Sequence, residues 1–372
     1  MSHIGKHAIL KQDVIVVSGY SYHHFLSIAL YKKLIFKSGF YLGWGLLLIA
    51  PLACSANPSQ PYSLSHRYGV NDDYMQIRLQ GTVLIPTQDI EGLTLGGLSG
   101  IAWDEDERRL YAVSDTGRLF HFRVTFNVSH QLQSVIPIAS YLLKNQQGIS
   151  LNTIRRQRDA EGLSLLKGNN GIQGDSELII AFERNPRIER YRPTGEWLGA
   201  YVLPISLRKV DSYASFNEAL ESVASHPTLG ILTVPELPLK QETAQIIQIF
   251  NLKGQSWTLP AYSAPNSAVT DLAVMADGSL LLLERAFTSI FSPLIISLRQ
   301  VYLCNPKTGK NSTQVQQIAV FDSSKGWSID NFEGLAHHQG AFFFMISDDN
   351  YRMLQSTLLT YFEVRANPLS CP

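Results

Sequence analysis

Residues 159–191 read DAEGLSLLKGNNGIQGDSELIIAFERNPRIERY, and the plan of this stretch decides the fold. An acid, Glu161, stands just ahead of a short apolar run. A turn-rich gap follows, then a buried-strand run from Leu178 to Phe182 that ends on Glu183 and Arg184. A further run, Ile188 to Tyr191, comes after a turn at Pro186. Short apolar runs bounded by Gly, Asn and Pro read as strands.

The plan recurs along the chain. Ser99-Gly100-Ile101 leads into a run ending at Asp115, and Glu221-Ser222-Val223 into one ending at Glu236. Asp271-Leu272-Ala273 leads into one ending at Glu284-Arg285, and Glu333-Gly334-Leu335 into one ending at Asp348. The starts at 99, 161, 221, 271 and 333 are spaced by 62, 60, 50 and 62 residues. A repeat of short strands at that period predicts an array of small sheets, each stacking on its neighbours to bury two faces. Third strands are expected at 120–126, 188–192, 246–252, 301–304 and 359–364, and fourth strands at 134–139, 197–203, 257–262 and 315–321. The fifth repeat lacks a fourth strand, and the unassigned run Thr82 to Pro86 can supply it. A ring closed in this way leaves no open sheet edge. The reading is therefore an all-β protein, a β-propeller of five four-stranded blades, with six left open by the long stretch 115–159.

Composition agrees. The 372 residues are 45% hydrophobic and 17% charged, enough for a large core. Lys+Arg and Asp+Glu are equal at 31 each, which argues against a nucleic-acid binder. Strand–helix alternation is missing, so a parallel α/β fold is not supported. Asn145 to Arg158 could form one short helix in an insertion, and 206–219 reads as an irregular loop.

Residues 1–56 read as a leader. Lys32, Lys33 and Lys37 precede an uncharged apolar run, Gly39 to Ala53, that ends in a small-residue zone. This is the pattern of a secretory signal, shorter than a full membrane span. The protein is thus expected to be exported to the periplasm or outer envelope. Cys54 after Leu52-Ala53 is similar to a lipoprotein acylation site, so membrane attachment through Cys54 or through an uncleaved anchor stays open beside simple cleavage. Residues 57–76 read as a linker and 77–372 as the propeller, expected to be a monomer. In an oxidising compartment Cys304 and Cys371 can pair and pin the tail to the fourth repeat; two free thiols are the alternative.

In a propeller the first strand of each blade lines the central channel, so its start sits at one mouth. That places Ser99, Glu161, Glu221, Asp271 and Glu333 together, with Asp115, Glu183, Glu236, Glu284 and Asp348 from the second strands, and Arg184 and Arg285 beside two of them. Carboxylates crowded in low dielectric repel and need a cation or arginines. Scattered oxygen ligands suit Ca²⁺ better than Zn²⁺. The expected metal ligands are Glu161, Glu183, Glu221, Asp271, Glu284, Glu333 and Asp348, with Asp159, Asn217, Asp330 and Asn331 as further ligands or turn caps. The competing reading makes such acids struts that bond backbone N–H groups of the next blade. His337 or His338 is a candidate base near the channel. Gly97-Leu98-Ser99-Gly100 fails as a nucleophile elbow because Ile101 stands where glycine is required.

The motifs GGLSGIAWD, DAEGLSLL, FERNPRIERY, ALESVASHP, VTDLAVMADGSLLLLERAF and NFEGLAHH, in this order, resemble the phytase-like family, also called esterase-like activity of phytase. The resemblance spans about Leu93 to Val364. It implies a propeller that hydrolyses phosphate or carboxylate esters, with Ca²⁺ in the acid ring by analogy with calcium-dependent propeller phytases. It carries over no assigned catalytic residue. The expected activity is that of an exported, metal-dependent ester or phosphoester hydrolase acting on a small molecule, with Glu161 or Glu333 orienting water and Arg184 and Arg285 holding the substrate anion. The alternative is a non-catalytic propeller that binds a ligand or partner in the cell envelope.

Overall fold

A computed structural model describes residues 57–240, 242, 245–289, 291–304, 311–367 and 371. The leader, with Cys54 and its anchor or acylation readings, lies outside the described residues. Four antiparallel four-stranded sheets follow in chain order, with inner strands Leu98–Asp104, Ala160–Leu166, Leu220–His226 and Ser267–Val274. The fifth blade takes Phe332–His337, Phe342–Ser347 and Thr357–Val364 from the end of the chain, and its fourth strand, Ile77–Ile85, from the beginning. The closing register runs from Thr357 opposite Ile85 to Val364 opposite Ile77. The molecule is a five-bladed β-propeller, closed where the sequence places the closure.

The second strand of each blade shows why neighbouring blades stack. Its residues alternate between two faces, and both faces are buried. Leu178, Ile180 and Phe182 pack with Tyr111 and Val113 of blade one, while Ile179 and Ala181 pack with Leu220 and Val223 of blade three. Likewise Leu280 and Leu282 face blade three, and Leu281 and Leu283 face blade five. Phe344 and Ile346 face blade one across Val83 and Ile85, which completes five inter-blade cores. Each fully buried side chain of this size contributes about 1.5–3 kcal/mol.

Around the channel the inner strands approach closely. A Cβ on Gly162 would lie 2.6 Å from Ser222 Cα, and one on Gly100 would lie 2.3 Å from the Glu161 carbonyl oxygen. Both contacts are with backbone, so a side chain there must push two blades apart. Gly162→Ala is expected to lower the unfolding free energy by at least about 1–3 kcal/mol, measured by urea denaturation.

Two expectations are corrected and one is narrowed. Residues 57–76 are not a free linker: Gln60–Pro61 pairs with the outside of the closing strand, Asp73–Tyr74 pairs with its start, and Leu64 is buried with Trp327. The tyrosines that made the segment look polar stack there, Tyr68 on Trp327 at 5.5 Å between ring centroids. The short helix that 145–158 could form is a single 3₁₀ turn, Leu151–Thr153. Asn145 bonds the N–H groups of Gln147 and Ile149 and holds a loop instead. The third strand of blade four starts at Ile295, six residues before the expected Val301. The added part carries Arg299 and Gln300, two polar residues that are buried because Glu284 and Ser279 receive their hydrogen bonds. The 206–219 stretch is irregular as read, with two 3₁₀ turns. Cys304 and Cys371 form a disulfide that ties the tail to blade four.

Candidate active site

Strand pairing defines which residues are equivalent at the mouth. Ile101 pairs with Ala112, Leu163 with Ile180, Val223 with Thr233, Leu272 with Leu282 and Leu335 with Met345. Two residues before the first member stand Ser99, Glu161, Glu221, Thr270 and Glu333. Three residues after the second stand Asp115, Glu183, Glu236, Arg285 and Asp348. A β-bulge at each inner-strand start re-aims the first set toward the mouth. Blade four therefore contributes a threonine and an arginine, where the sequence suggested Asp271 and Glu284.

Those two acids are placed elsewhere. Asp271 sits where three other blades carry glycine, and its carboxylate accepts from the N–H of Leu272 at 2.8 Å and of Leu335 in blade five at 2.7 Å. It is a strut between blades. Glu284 is fully buried and takes two hydrogen bonds from Arg299, at 2.5 and 2.6 Å. Neither lines the mouth, so both leave the ligand set. Breaking the buried Glu284–Arg299 pair leaves an uncompensated charge, which typically costs about 3–5 kcal/mol. Glu284→Gln and Asp271→Asn are expected to lower the melting temperature while leaving divalent-cation affinity within about twofold; calorimetry on each variant checks both.

The remaining residues surround a cavity of about 370 Å³ lined by Ser99, Asp115, Asp159, Glu161, Glu183, Arg184, Asn217, Glu218, Glu221, Glu236, Arg285, Glu333, Asp348 and Asn350. Nine carboxyl groups thus face two guanidinium groups. Arg285 donates to Glu333 at 2.7 Å and to Glu236 at 3.4 Å, and also bonds Asn331. Arg184 pairs with Asp159 at 2.6 Å and donates to Asn217 at 3.0 Å. Asp330 caps a turn, accepting from Asn331 and Ser356. Ser99 is 3% exposed and its Oγ has no hydrogen-bond partner.

The electrostatics follow from this crowding. Burial, reinforced by Glu183, Asp159, Glu333 and Asp115, raises the Glu161 pKa well above the usual range. Burial with Glu236 and Glu161 does the same to Glu221. Glu183 is pushed up to about 9 by burial and by Asp159 and Glu236. Asp348 is pushed up to about 9 by burial and Glu333. Glu236 reaches about 7, because Arg285 offsets part of its burial. Burial works against the Arg285 charge, yet Glu333, Glu236, Glu221 and Asp348 outweigh it and raise its pKa.

Two groups within the cavity have metal-ligand geometry among the described residues. Asp159, Glu161 and Glu183 bring one carboxylate oxygen each within 4.8 Å of one another, and so do Glu183, Glu221 and Glu236. Glu183 belongs to both. The donors are all hard oxygens, from the inner-strand starts and second-strand ends of blades two and three. Burial raises their pKa values, reinforced at all but Asp159 by neighbouring acids, and a cation would relieve that repulsion, so the residues fit a divalent metal such as Ca²⁺. Glu333 and Asp348 line the cavity outside these two groups.

His337 and His338 are at the far end of the inner strand Phe332–His337, away from the mouth. His338 packs on Phe126, Trp103 and Phe344, and its Nδ1 shares a hydrogen bond with Tyr361 Oη at 2.7 Å. Burial lowers its pKa to about 4. Neither histidine is a base for this site. Asp159 and Asn217, read as further ligands or turn caps, do line the cavity, whereas Thr270 and Glu218 were missed as ring or lining residues; aligning the repeats on their apolar residues would have found Thr270.

Residues 93–351, more than half of the chain, match the sequence model of the phytase-like family, described as esterase-like activity of phytase. The chain belongs to the phytase-like family. The matched span of this phytase-like protein runs from just before the first inner strand to the loop of Asp348 and Tyr351, and so includes every residue of the acid mouth. Among solved structures it is similar to a gluconolactonase from Xanthomonas campestris, important in glucose secondary metabolic pathways, at 13% identity and a TM-score of 0.36, over 82% of this chain and 98% of that one. No curated protein sequence matches.

Proposed function

We propose that this phytase-like propeller is an exported hydrolase of phosphate or carboxylate esters that works with a divalent cation, Ca²⁺ as first candidate, at the acid mouth. The observation that carries the reading is Glu183, shared by two oxygen-only ligand groups inside one cavity. Family membership supports hydrolysis as the reaction type.

Asp159, Glu161, Glu183, Glu221 and Glu236 would hold the cation on the side of blades two and three. Bound there, it would supply Lewis-acid polarisation of an ester or phosphoryl oxygen. Ser99, Asp115, Glu333 and Asp348 lie on the side of blades five and one. Ser99 Oγ, buried and unpartnered, is the hydroxyl that meets a substrate oxygen. Glu333, oriented by Arg285 and Asn331, is the carboxylate placed to take a proton from water. Asp348, pushed up to about 9, holds a proton at neutral pH and can return it to the leaving oxygen. Of the two arginines, Arg285 is committed to three acceptors and positions Glu333. Arg184, held by Asp159 and Asn217, has fewer acceptors than Arg285 and is the one assigned to the substrate anion.

Calorimetric titration with Ca²⁺, in the absence and presence of inorganic phosphate, tests the site. Cation binding that phosphate strengthens is expected. No cation binding would reduce the acids to inter-blade struts. Cation binding without turnover on any ester would favour the envelope binding module.

A further inference from the structure

We propose that the mouth face of the propeller docks on an anionic lipid bilayer surface. In each blade the connections after the second and fourth strands lie on the face of the acid mouth, and those after the first and third lie on the opposite face. Large apolar side chains are exposed mostly on the mouth face. Val202, Ile205 and Phe216 project from the connection between blades two and three, Phe291 from blade four, and Met353 and Leu354 from blade five. The last two are fully exposed. On the opposite face the exposed large apolar residues, among those described, are Val128, Ile172 and Met75, with Val70 close to Met75 ahead of the closing strand, none of them from the same connection as another except this last pair. Loop tips that expose apolar side chains from three separate connections are unusual on a face meant only for water.

Basic residues stand among them. Arg155, Arg156, Arg208, Lys209, Lys240, Lys325 and Arg352 are exposed on mouth-face loops, against the exposed acids Asp89, Glu91, Asp211 and Glu242. Apolar tips mixed with Lys and Arg match an anionic bilayer interface, where each such cation near the surface contributes about 1 kcal/mol.

Chain connectivity identifies the occupant as a membrane rather than a protein. Asn57 and Gln88 exchange two hydrogen bonds, at 2.7 and 3.0 Å. The residue next to Gln88, Thr87, donates to Asp349 at 3.4 Å, beside Asp348 of the mouth. The chain thus enters the propeller at the rim of the mouth face. Only residues 54–56 separate Asn57 from the uncharged apolar run Gly39–Ala53. Three residues span about 10 Å at most. Anchoring through that run, or through an acylated Cys54, therefore brings the mouth-face rim to the bilayer. One consequence rests on the hydrolase reading: the ester reaching the mouth would be carried by a membrane amphiphile. Docking itself does not depend on that reading.

The test places a tryptophan at Leu354 (Leu354→Trp) and, separately, at Val128 (Val128→Trp) in the full chain, both at exposed positions. Each protein is reconstituted with vesicles of phosphatidylcholine and phosphatidylglycerol that carry a nitroxide-labelled lipid. Docking predicts that the emission added at 354 is quenched several-fold more than that added at 128. Equal quenching at the two sites, or none at 354, overturns the proposal. A chain tethered by its leader but swinging freely in water gives that second result, and the readout involves no hydrolysis, so its failure leaves the hydrolase reading untouched.

Discussion

Glu183→Gln is expected to weaken divalent-cation binding by about 100-fold or more while leaving the metal-free fold intact. Glu183 is the one carboxylate common to both ligand groups, so its loss removes a donor from each. Glutamine keeps the shape of the protonated acid that burial, Asp159 and Glu236 favour, with the Glu183 pKa at about 9. The substitution therefore subtracts charge from a site that already resists it. At pH 8 the metal-free variant is expected to be at least as stable as the wild type, and the cation-loaded wild type more stable than both. Calorimetry for affinity and thermal unfolding for stability read the two effects separately. Unchanged affinity in Glu183→Gln would place the cation elsewhere.

Raising the pH from 6.5 to 9 is expected to destabilise the metal-free protein steadily. The folded-state pKa values of Glu183 and Asp348 are about 9 and that of Glu236 about 7, all above the ordinary carboxylate value. Over this window the native state holds protons that the unfolded state has already released. Stability gained by these acids is present at low pH and lost as pH rises through their folded pKa values, at about 1.4 kcal/mol per pH unit for each retained proton. The buried histidines oppose this trend only below about 6.5, because His121 and His338 are lowered to about 4 and are neutral in both states above that. A saturating divalent cation should flatten or reverse the slope, since its ligands must give up their protons to bind. Melting temperatures at half-unit pH steps, with chelator and with Ca²⁺, test the sign. A metal-free melting temperature that rises between pH 6.5 and 9 would mean the acids are ionised and already satisfied.

The fold was legible because the physics that makes a propeller is written locally. Runs such as Leu178 to Phe182 bury both faces, which only stacked sheets allow, and the run at residues 82–86 supplied the strand that the fifth repeat lacked. The site was legible in part. Glu161, Glu183, Glu221, Glu333 and Asp348 meet at one mouth as their repeat positions imply. Blade four misled because an acid lies one residue from the ring position on each strand. Asp271 follows Thr270, and Glu284 precedes Arg285. Matching acid to acid selected the wrong neighbour, whereas the apolar residues Leu272 and Leu282, which fix the side-chain alternation, select the right one. What the sequence could not carry was pairing across blades. Arg285 reaches Glu236 and Glu333, 49 and 48 residues away, and that pairing is set only by ring closure.

On the proposed reading the acid mouth is the active site of a cation-dependent esterase or phosphatase. Turnover of p-nitrophenyl phosphate and p-nitrophenyl acetate, measured before chelation, after it, and after Ca²⁺ is restored, tests it most directly. Hydrolysis of at least one of the two is expected, lost with the cation, regained with Ca²⁺, and not regained in Glu183→Gln. Hydrolysis indifferent to chelation and to Glu183→Gln would contradict it.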